Sequence, residues 1–91
     1  MRIRFNPTSV VEIFDLDFVV GSSNGIPSVT LGYTRYLFDE FDYFGKLDVS
    51  DCKTIDEAEA KAAAIVDEIF QTGIWDISTD EKRNKYGVTI W

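Results

Sequence analysis

Residues 54–73 read TIDEAEAKAAAIVDEIFQTG, and this stretch decides the fold because it predicts one long helix. Thr54, followed three residues later by Glu57, forms a capping box that satisfies amide groups at the helix start. Gly73 is the residue type that most often ends a helix. At 1.5 Å per residue, about 18 residues give a rod of roughly 27 Å, long enough to cover several strands. Apolar residues recur at spacings of three and four and form one stripe: Ile55, Ala58, Ala62, Ile65, Val66 and Ile69.

The chain before this helix has the pattern of β-strands joined by tight turns. Polar and apolar residues alternate over residues 2–5, 28–38 and 41–49, and each run predicts a strand. Gly32 interrupts the second run where a bulge or a bend would fit. The cluster Gly-Ser-Ser-Asn-Gly at residues 21–25 is typical of a turn. We therefore expect antiparallel hairpins in this part of the chain.

Residues 10–20 have two readings. Ser9 and Glu12 have the spacing of a second capping box, which would begin a helix. The run is rich in β-branched and aromatic residues, however, and this composition favours a strand. Its even positions form one apolar face, opposed by Asp15 and Asp17: Phe14, Leu16, Phe18 and Val20. We predict a strand here.

Two short strands are predicted after the helix, over residues 74–78 and 87–91, joined by a polar loop over residues 79–86. The order ββββαββ predicts one α+β domain, residues 1–91, in which an antiparallel sheet of about five to six strands packs against a single helix. The chain has two Trp, four Tyr and seven Phe. One helix cannot cover that many rings, so we expect an exposed aromatic patch that binds a partner or a second copy.

The composition excludes several classes of function. Sixteen acidic and nine basic side chains give a net charge of −7, which argues against direct binding to nucleic acid or anionic lipid. Without histidine there is no His-based triad, and the single cysteine, Cys52, cannot form an internal disulfide or a Cys₂ or Cys₄ zinc site. No apolar run is long enough to span a membrane or to serve as a signal peptide. We expect a cytoplasmic protein.

The charge is concentrated in the middle of the chain. Residues 36–68 contain ten acids and three lysines, whereas acids and bases balance in the two flanking parts. Residues 36–44 read YLFDEFDYF and combine aromatic rings with carboxylates at a predicted hairpin bend. This composition is expected of a contact surface for a basic protein, such as one that binds nucleic acid. The candidate partner-binding residues are Tyr36, Phe38, Asp39, Glu40, Phe41, Asp42, Tyr43, Phe44, Asp56 and Glu59.

An ordinary structural reading of the same residues stays open. Alternate aromatic residues of a hairpin can belong to the core while the acids face solvent. Acids at the start of a helix, such as Asp56 and Glu59, complement the helix dipole without any partner.

Three patterns that resemble catalytic or metal sites lead to no assignment. Asp15 and Asp17 are an acid pair, but solvated carboxylates on a strand are far commoner than catalytic ones. Residues 48–59 match a calcium-binding EF-hand loop at several places, yet Lys53 stands where that loop needs glycine. Cys52 has no histidine to activate it, so an inert thiol is favoured. We predict a non-enzymatic protein with no catalytic residues, no metal and no cofactor.

In size and acidity the chain resembles small phage-encoded inhibitors, including anti-CRISPR proteins. The resemblance is one of overall character and rests on the clusters Asp39-Glu40-Phe41-Asp42 and Asp56-Glu57-Ala58-Glu59. It implies a protein that imitates the charge of nucleic acid and blocks a partner's nucleic-acid-binding surface. Two alternatives stay open. One is an immunity protein or antitoxin for a basic nuclease toxin, and the other is an assembly protein that dimerises through an aromatic sheet face.

Overall fold

The computed structural model describes residues 1–37 and 40–91. In this part of the chain, four strands precede the long helix, and two short strands with a second helix between them follow it. The elements are β1 (Arg2–Asn6), β2 (Ser9–Ser23), β3 (Ile26–Arg35), β4 (Phe41–Leu47), α1 (Ile55–Thr72), β5 (Ile74–Asp76), α2 (Asp80–Tyr86) and β6 (Val88–Ile90).

The strands form a six-stranded sheet in the order β5-β1-β2-β3-β4-β6. The predicted α+β class is confirmed, with α1 as the main helix packed on the sheet. One pair differs from the predicted antiparallel arrangement, since β5 runs parallel to β1, with Arg2 opposite Ile74. A parallel pair needs a crossover between its strands, and α1 is part of that crossover. The sheet is therefore mixed.

β2 is shared between two parts of the sheet. Its residues up to Glu12 pair with β1, and those from Ile13 onward, apart from Phe14, pair with β3. The register shifts between Ile13 and Asp15, so Phe14 is an extra residue in a bulge. At the far end, Asn24 and Gly25 have φ of 53° and 78°, as a two-residue hairpin turn requires. β2 consequently extends past the predicted end of the strand.

The core lies between the curled sheet and α1. The sheet curls far enough that the rings of Phe5 on β1 and Phe44 on β4 meet edge to face, with centroids 5.1 Å apart. Trp75 on β5 is fully buried and its ring lies 5.8 Å from that of Phe18. α1 contributes its stripe of buried residues: Ala58, Ala62, Ile65 and Ile69.

The predicted boundaries of α1 are confirmed. Thr54 Oγ1 accepts a hydrogen bond from the Glu57 amide at 3.2 Å. Gly73 has φ of 75°, in the left-handed region, and its N–H donates to the Ile69 carbonyl at 2.7 Å. Both ends therefore follow from local sequence.

The predicted loop over residues 79–86 instead contains α2. Thr79 caps this helix by accepting from the Lys82 amide at 3.3 Å, and Gly87 ends it with φ of 76°. The sequence of α2, DEKRNKY, has no apolar stripe and none of its residues is fully buried. Hydrophobic periodicity could not reveal it, because Tyr86 is the one apolar residue of α2 that packs against the core.

Candidate partner-binding surface

The face of β2, β3 and β4 that turns away from α1, here called the open face, carries the candidate surface. On β3, Val29, Leu31 and Tyr33 belong to or pack on the core, so the residues between them face the other way. The strand register then aligns the open face in three rows. These rows are Asp15–Thr34–Phe41, Asp17–Gly32–Tyr43 and Val19–Thr30–Lys46.

Two aromatic rings stand at the ends of the first two rows. Phe41 and Tyr43 meet edge to face, with centroids 4.9 Å apart and an angle of 88° between the ring planes. Their exposed fractions are 41% and 54%. Gly32 makes room for this pair, because a Cβ built on Gly32 would overlap the ring of Phe41. The rings are therefore held in place and still face solvent.

Two carboxylates stand at the opposite ends of the same rows. Asp17 is half-buried, and burial, followed by the neighbouring Asp15 carboxylate, raises the pKa of Asp17. A positive charge brought to this place would stabilise the ionised carboxylates and so oppose both effects. We call Asp15, Asp17, Phe41 and Tyr43 the open-face patch.

The patch adjoins several of the predicted site residues. Glu40 and Asp42, on either side of Phe41 in sequence, are exposed. Tyr36 is 51% exposed and lies in the turn after β3, where its N–H donates to the Glu12 carbonyl at 3.2 Å. Phe38 and Asp39, also predicted as site residues, lie outside the described residues.

Phe44 occupies the core instead of the surface. Its exposed fraction is 9%, and its ring packs against those of Phe5, Tyr33 and Trp75. The register between β3 and β4 shifts at this point, so Phe44 is the extra residue of a bulge. It supports the open face from within and does not offer a contact to a partner.

The acids of the helix are separated from the patch. Asp56 and Glu59 are exposed on α1, and α1 packs against the opposite face of the sheet, on β2, β3 and β5. Asp56 and Glu59 are therefore not part of a surface that is continuous with the open-face patch. The rings and the helix carboxylates lie on opposite sides of the sheet.

Sequence reasoning missed the place of Asp15 and Asp17 on the open face and the exposure of Phe14. Asp15 and Asp17 were predicted only as an acid pair, although strand register brings them into line with Phe41 and Tyr43. Phe14 was assigned to the apolar face of β2, but it is 74% exposed because the bulge at this residue breaks the alternation. No local signal marks the position of that bulge.

A groove of about 510 Å³ lies at the far end of the open face. It is lined in part by Ile26 and Trp91, which are 68% and 69% exposed, and by Lys46 and Thr30 of the third row. The open face thus continues as partly apolar surface toward β6.

The patterns that resemble catalytic or metal sites have other roles in the structure. Asp48 accepts from the Ser50 amide at 2.9 Å, and this bond lowers the pKa of Asp48. Asp51 pairs with Lys61 at 3.1 Å, which lowers the pKa of Asp51. Partial burial, followed by the Asp51 carboxylate, raises the pKa of Cys52, so its thiol is a poor nucleophile at neutral pH. Across residues 1–37 and 40–91, no group of three Cys, Asp or Glu side chains is arranged to hold a metal ion.

Comparison with known proteins gives no match to a protein family, to a curated protein or to a solved structure. Neither helix of the described chain is long and apolar enough to cross a membrane. The assignment of a function therefore rests on the geometry and charge of the open face.

Proposed function

We propose that this protein is a non-enzymatic binding module that docks its open-face patch on a basic surface of another protein in the cytoplasm. The observation that carries the proposal is the exposed edge-to-face pair Phe41 and Tyr43, aligned by strand register with Asp15 and Asp17. The rings offer contact area and the carboxylates offer charge, on one face.

The rings supply what tight protein contacts need. Aromatic residues dominate the binding energy of many interfaces because they bury a large area and lose few side-chain rotamers. Phe41 and Tyr43 are already ordered by their mutual contact and by the space above Gly32. Little further ordering is required on binding, which favours slow dissociation of a complex.

The charge selects the class of partner. A net charge of −7 repels nucleic acid and attracts proteins that carry lysine and arginine clusters. Proteins that bind nucleic acid present the commonest surfaces of this kind. We therefore propose an inhibitor that covers such a surface, in the manner of the phage-encoded inhibitors that the chain resembles. An immunity protein or antitoxin for a basic nuclease would use the same contacts.

The exposed rings would also suit an assembly protein that dimerises through its open face. In that arrangement Asp15 and Asp17 of two copies would approach one another, and desolvated like charges oppose association. The assembly function is the better interpretation only if charge does not govern binding.

The test begins with affinity purification of the partner from the native cell, followed by binding kinetics with matched variants. Glu40→Lys with Asp42→Lys reverses two charges beside the patch. Glu59→Lys with Asp67→Lys makes the same change in net charge on exposed positions of α1. We expect the first pair to lower the association rate about tenfold at low salt and to flatten its salt dependence, and the second pair to do much less.

Tyr43→Ala should act mainly on the dissociation rate, by about 1 to 2 kcal/mol if the ring is central to the interface. Equal effects of the two charge-reversal pairs would show that only net charge matters. If Glu40→Lys with Asp42→Lys and Asp15→Lys with Asp17→Lys both bound as well as the parent at low salt, acidic docking would be wrong and the assembly function would take its place.

A further inference from the structure

β4 has an unpaired edge beside the patch. It pairs with β3 along its whole length, but with β6 only at Gly45, Lys46 and Leu47. The last bond on that side is donated by the Trp91 N–H to the Phe44 carbonyl at 3.1 Å. Within the described residues, no strand pairs with Phe41–Tyr43 on the side away from β3.

The hydrogen bonds of the hairpin show which backbone groups face this edge. The Glu40 carbonyl accepts from the Arg35 N–H at 3.3 Å, so Glu40 is bonded toward β3. Successive residues of an antiparallel strand bond alternately to one neighbour and to the other. Asp42 therefore also bonds toward β3, and Phe41 and Tyr43 turn their N–H and C=O groups to the unpaired edge.

We propose that the partner is bound by strand addition, with an extended cationic segment pairing along Phe41–Tyr43 in line with β6. This inference rests on the proposed function and adds to it the conformation of the recognised segment. The N–H and C=O groups that Phe41 and Tyr43 turn to this edge supply the main-chain bonds. Charge complementarity selects a cationic segment, because Asp42 on the same strand and Glu40 just before it are exposed carboxylates. A second copy of this chain, with its net charge of −7, does not meet that requirement.

The pleat of the sheet defines a sequence pattern for the segment. Residues opposite Phe41 and Tyr43 place their side chains on the open face, beside the two rings. The residue between them places its side chain on the other face, beside Asp42. Alternating apolar and basic residues fit this arrangement.

A peptide of the sequence Arg-Val-Arg-Val-Arg-Val-Arg, blocked at both ends and carrying a fluorophore, serves as the probe. Two further forms carry N-methyl groups either on the valines or on the inner arginines, which leaves charge and side chains unchanged. If the peptide adds to the sheet as a strand, either its valines or its inner arginines point their N–H groups at β4, but not both. We expect one N-methylated form to bind about tenfold more weakly than the parent and the other to bind comparably.

The protein side of the test compares Tyr43→Pro with Tyr43→Ala. Both remove the ring, but only proline removes the N–H that faces the unpaired edge, and edge positions tolerate proline. Thermal unfolding checks that both variants fold, and we expect Tyr43→Pro to bind the peptide about tenfold more weakly than Tyr43→Ala. If Tyr43→Pro does not fold, the N-methylated peptides alone decide.

The outcomes separate this inference from the proposed function. Equal weakening of both N-methylated forms, or equal binding of all three peptides, would overturn strand addition. If charge reversal at Glu40 and Asp42 still lowered affinity in that case, acidic docking would stand. Absence of binding at millimolar peptide would also overturn strand addition, whereas the proposed function is decided by the kinetics of the native partner.

Discussion

Gly32 controls the position of the exposed rings on the open face. A side chain at this residue would occupy the space that the ring of Phe41 fills. We predict that Gly32→Ala displaces the Phe41 ring and lowers the free energy of unfolding by about 1 to 2 kcal/mol. Urea unfolding measures the loss.

A double-mutant cycle provides the control for this prediction. With Phe41→Ala in place, adding Gly32→Ala should cost much less, because the clashing ring is gone. Additive effects of the two substitutions would contradict the assigned contact.

Asp76 makes stability depend on pH at the junction of β5 and α2. Lys82 Nζ donates to Asp76 Oδ2 at 2.6 Å, and Ser78 Oγ donates to Oδ1 at 2.6 Å. These bonds lower the pKa of Asp76 from 3.8 to about 2. Because the pKa is lower in the folded state, the carboxylate stabilises the fold above pH 3.8, and this contribution is lost as the pH falls through about 2.

We predict that Asp76→Asn lowers the urea midpoint at pH 6 and makes its decline toward pH 2 shallower than in the parent protein. Asp67→Asn, at an exposed carboxylate on α1, is the matched control and should change both quantities less. Parallel profiles for the parent and Asp76→Asn would exclude this role for Asp76.

The start of α1 depends on the Thr54 cap. Its hydroxyl oxygen accepts from the Glu57 amide at 3.2 Å and so satisfies a donor that the helix itself leaves unpaired. Thr54→Ala should destabilise the protein by about 1 kcal/mol, whereas Thr54→Ser, which keeps the acceptor, should cost less. Chemical denaturation of the two variants tests the difference, and an unchanged midpoint in Thr54→Ala would contradict the cap.

Elements with strong local signals are the ones that the sequence reveals. α1 has a cap at Thr54, an apolar stripe and a stop at Gly73, and the turn at Asn24 and Gly25 lies within the predicted glycine-rich cluster. α2 has caps but no stripe, because its packing is made by few side chains. The parallel pairing of β5 with β1 depends on contacts distant in sequence, which no local pattern encodes.

The same distinction applies to the candidate surface, because the sequence predicts one part of it and strand register determines the rest. The aromatic and acidic composition of residues 36–44 indicated a contact surface, and Phe41 and Tyr43 are exposed there. The inward direction of Phe44 and the alignment of Asp17 with Tyr43 both depend on strand register. Register changes at each bulge, and a single residue inserted into a strand exchanges its two faces.

Over the whole molecule, the two faces of the sheet differ in what covers them. One face holds the core and α1, and the other leaves Phe41 and Tyr43 uncovered. We predict that the protein is monomeric at physiological salt, because two open faces would bring like charges together. Sedimentation equilibrium measures the oligomeric state. A stable dimer that Tyr43→Arg dissociates would favour the assembly function.

α2 lies between the edge strands β5 and β6 in sequence, and this order has a consequence for how the chain folds. β2, β3 and β4 pair with their neighbours in sequence, whereas β5 must find β1 at the other end of the chain. Local pairings form faster than distant ones, so the central meander should assemble before the edges do. Since α2 joins β5 to β6, docking of one edge strand shortens the conformational search of the other for its pairing partner. Stopped-flow refolding of a Trp91→Phe variant should therefore show burial of Trp75 as a late phase.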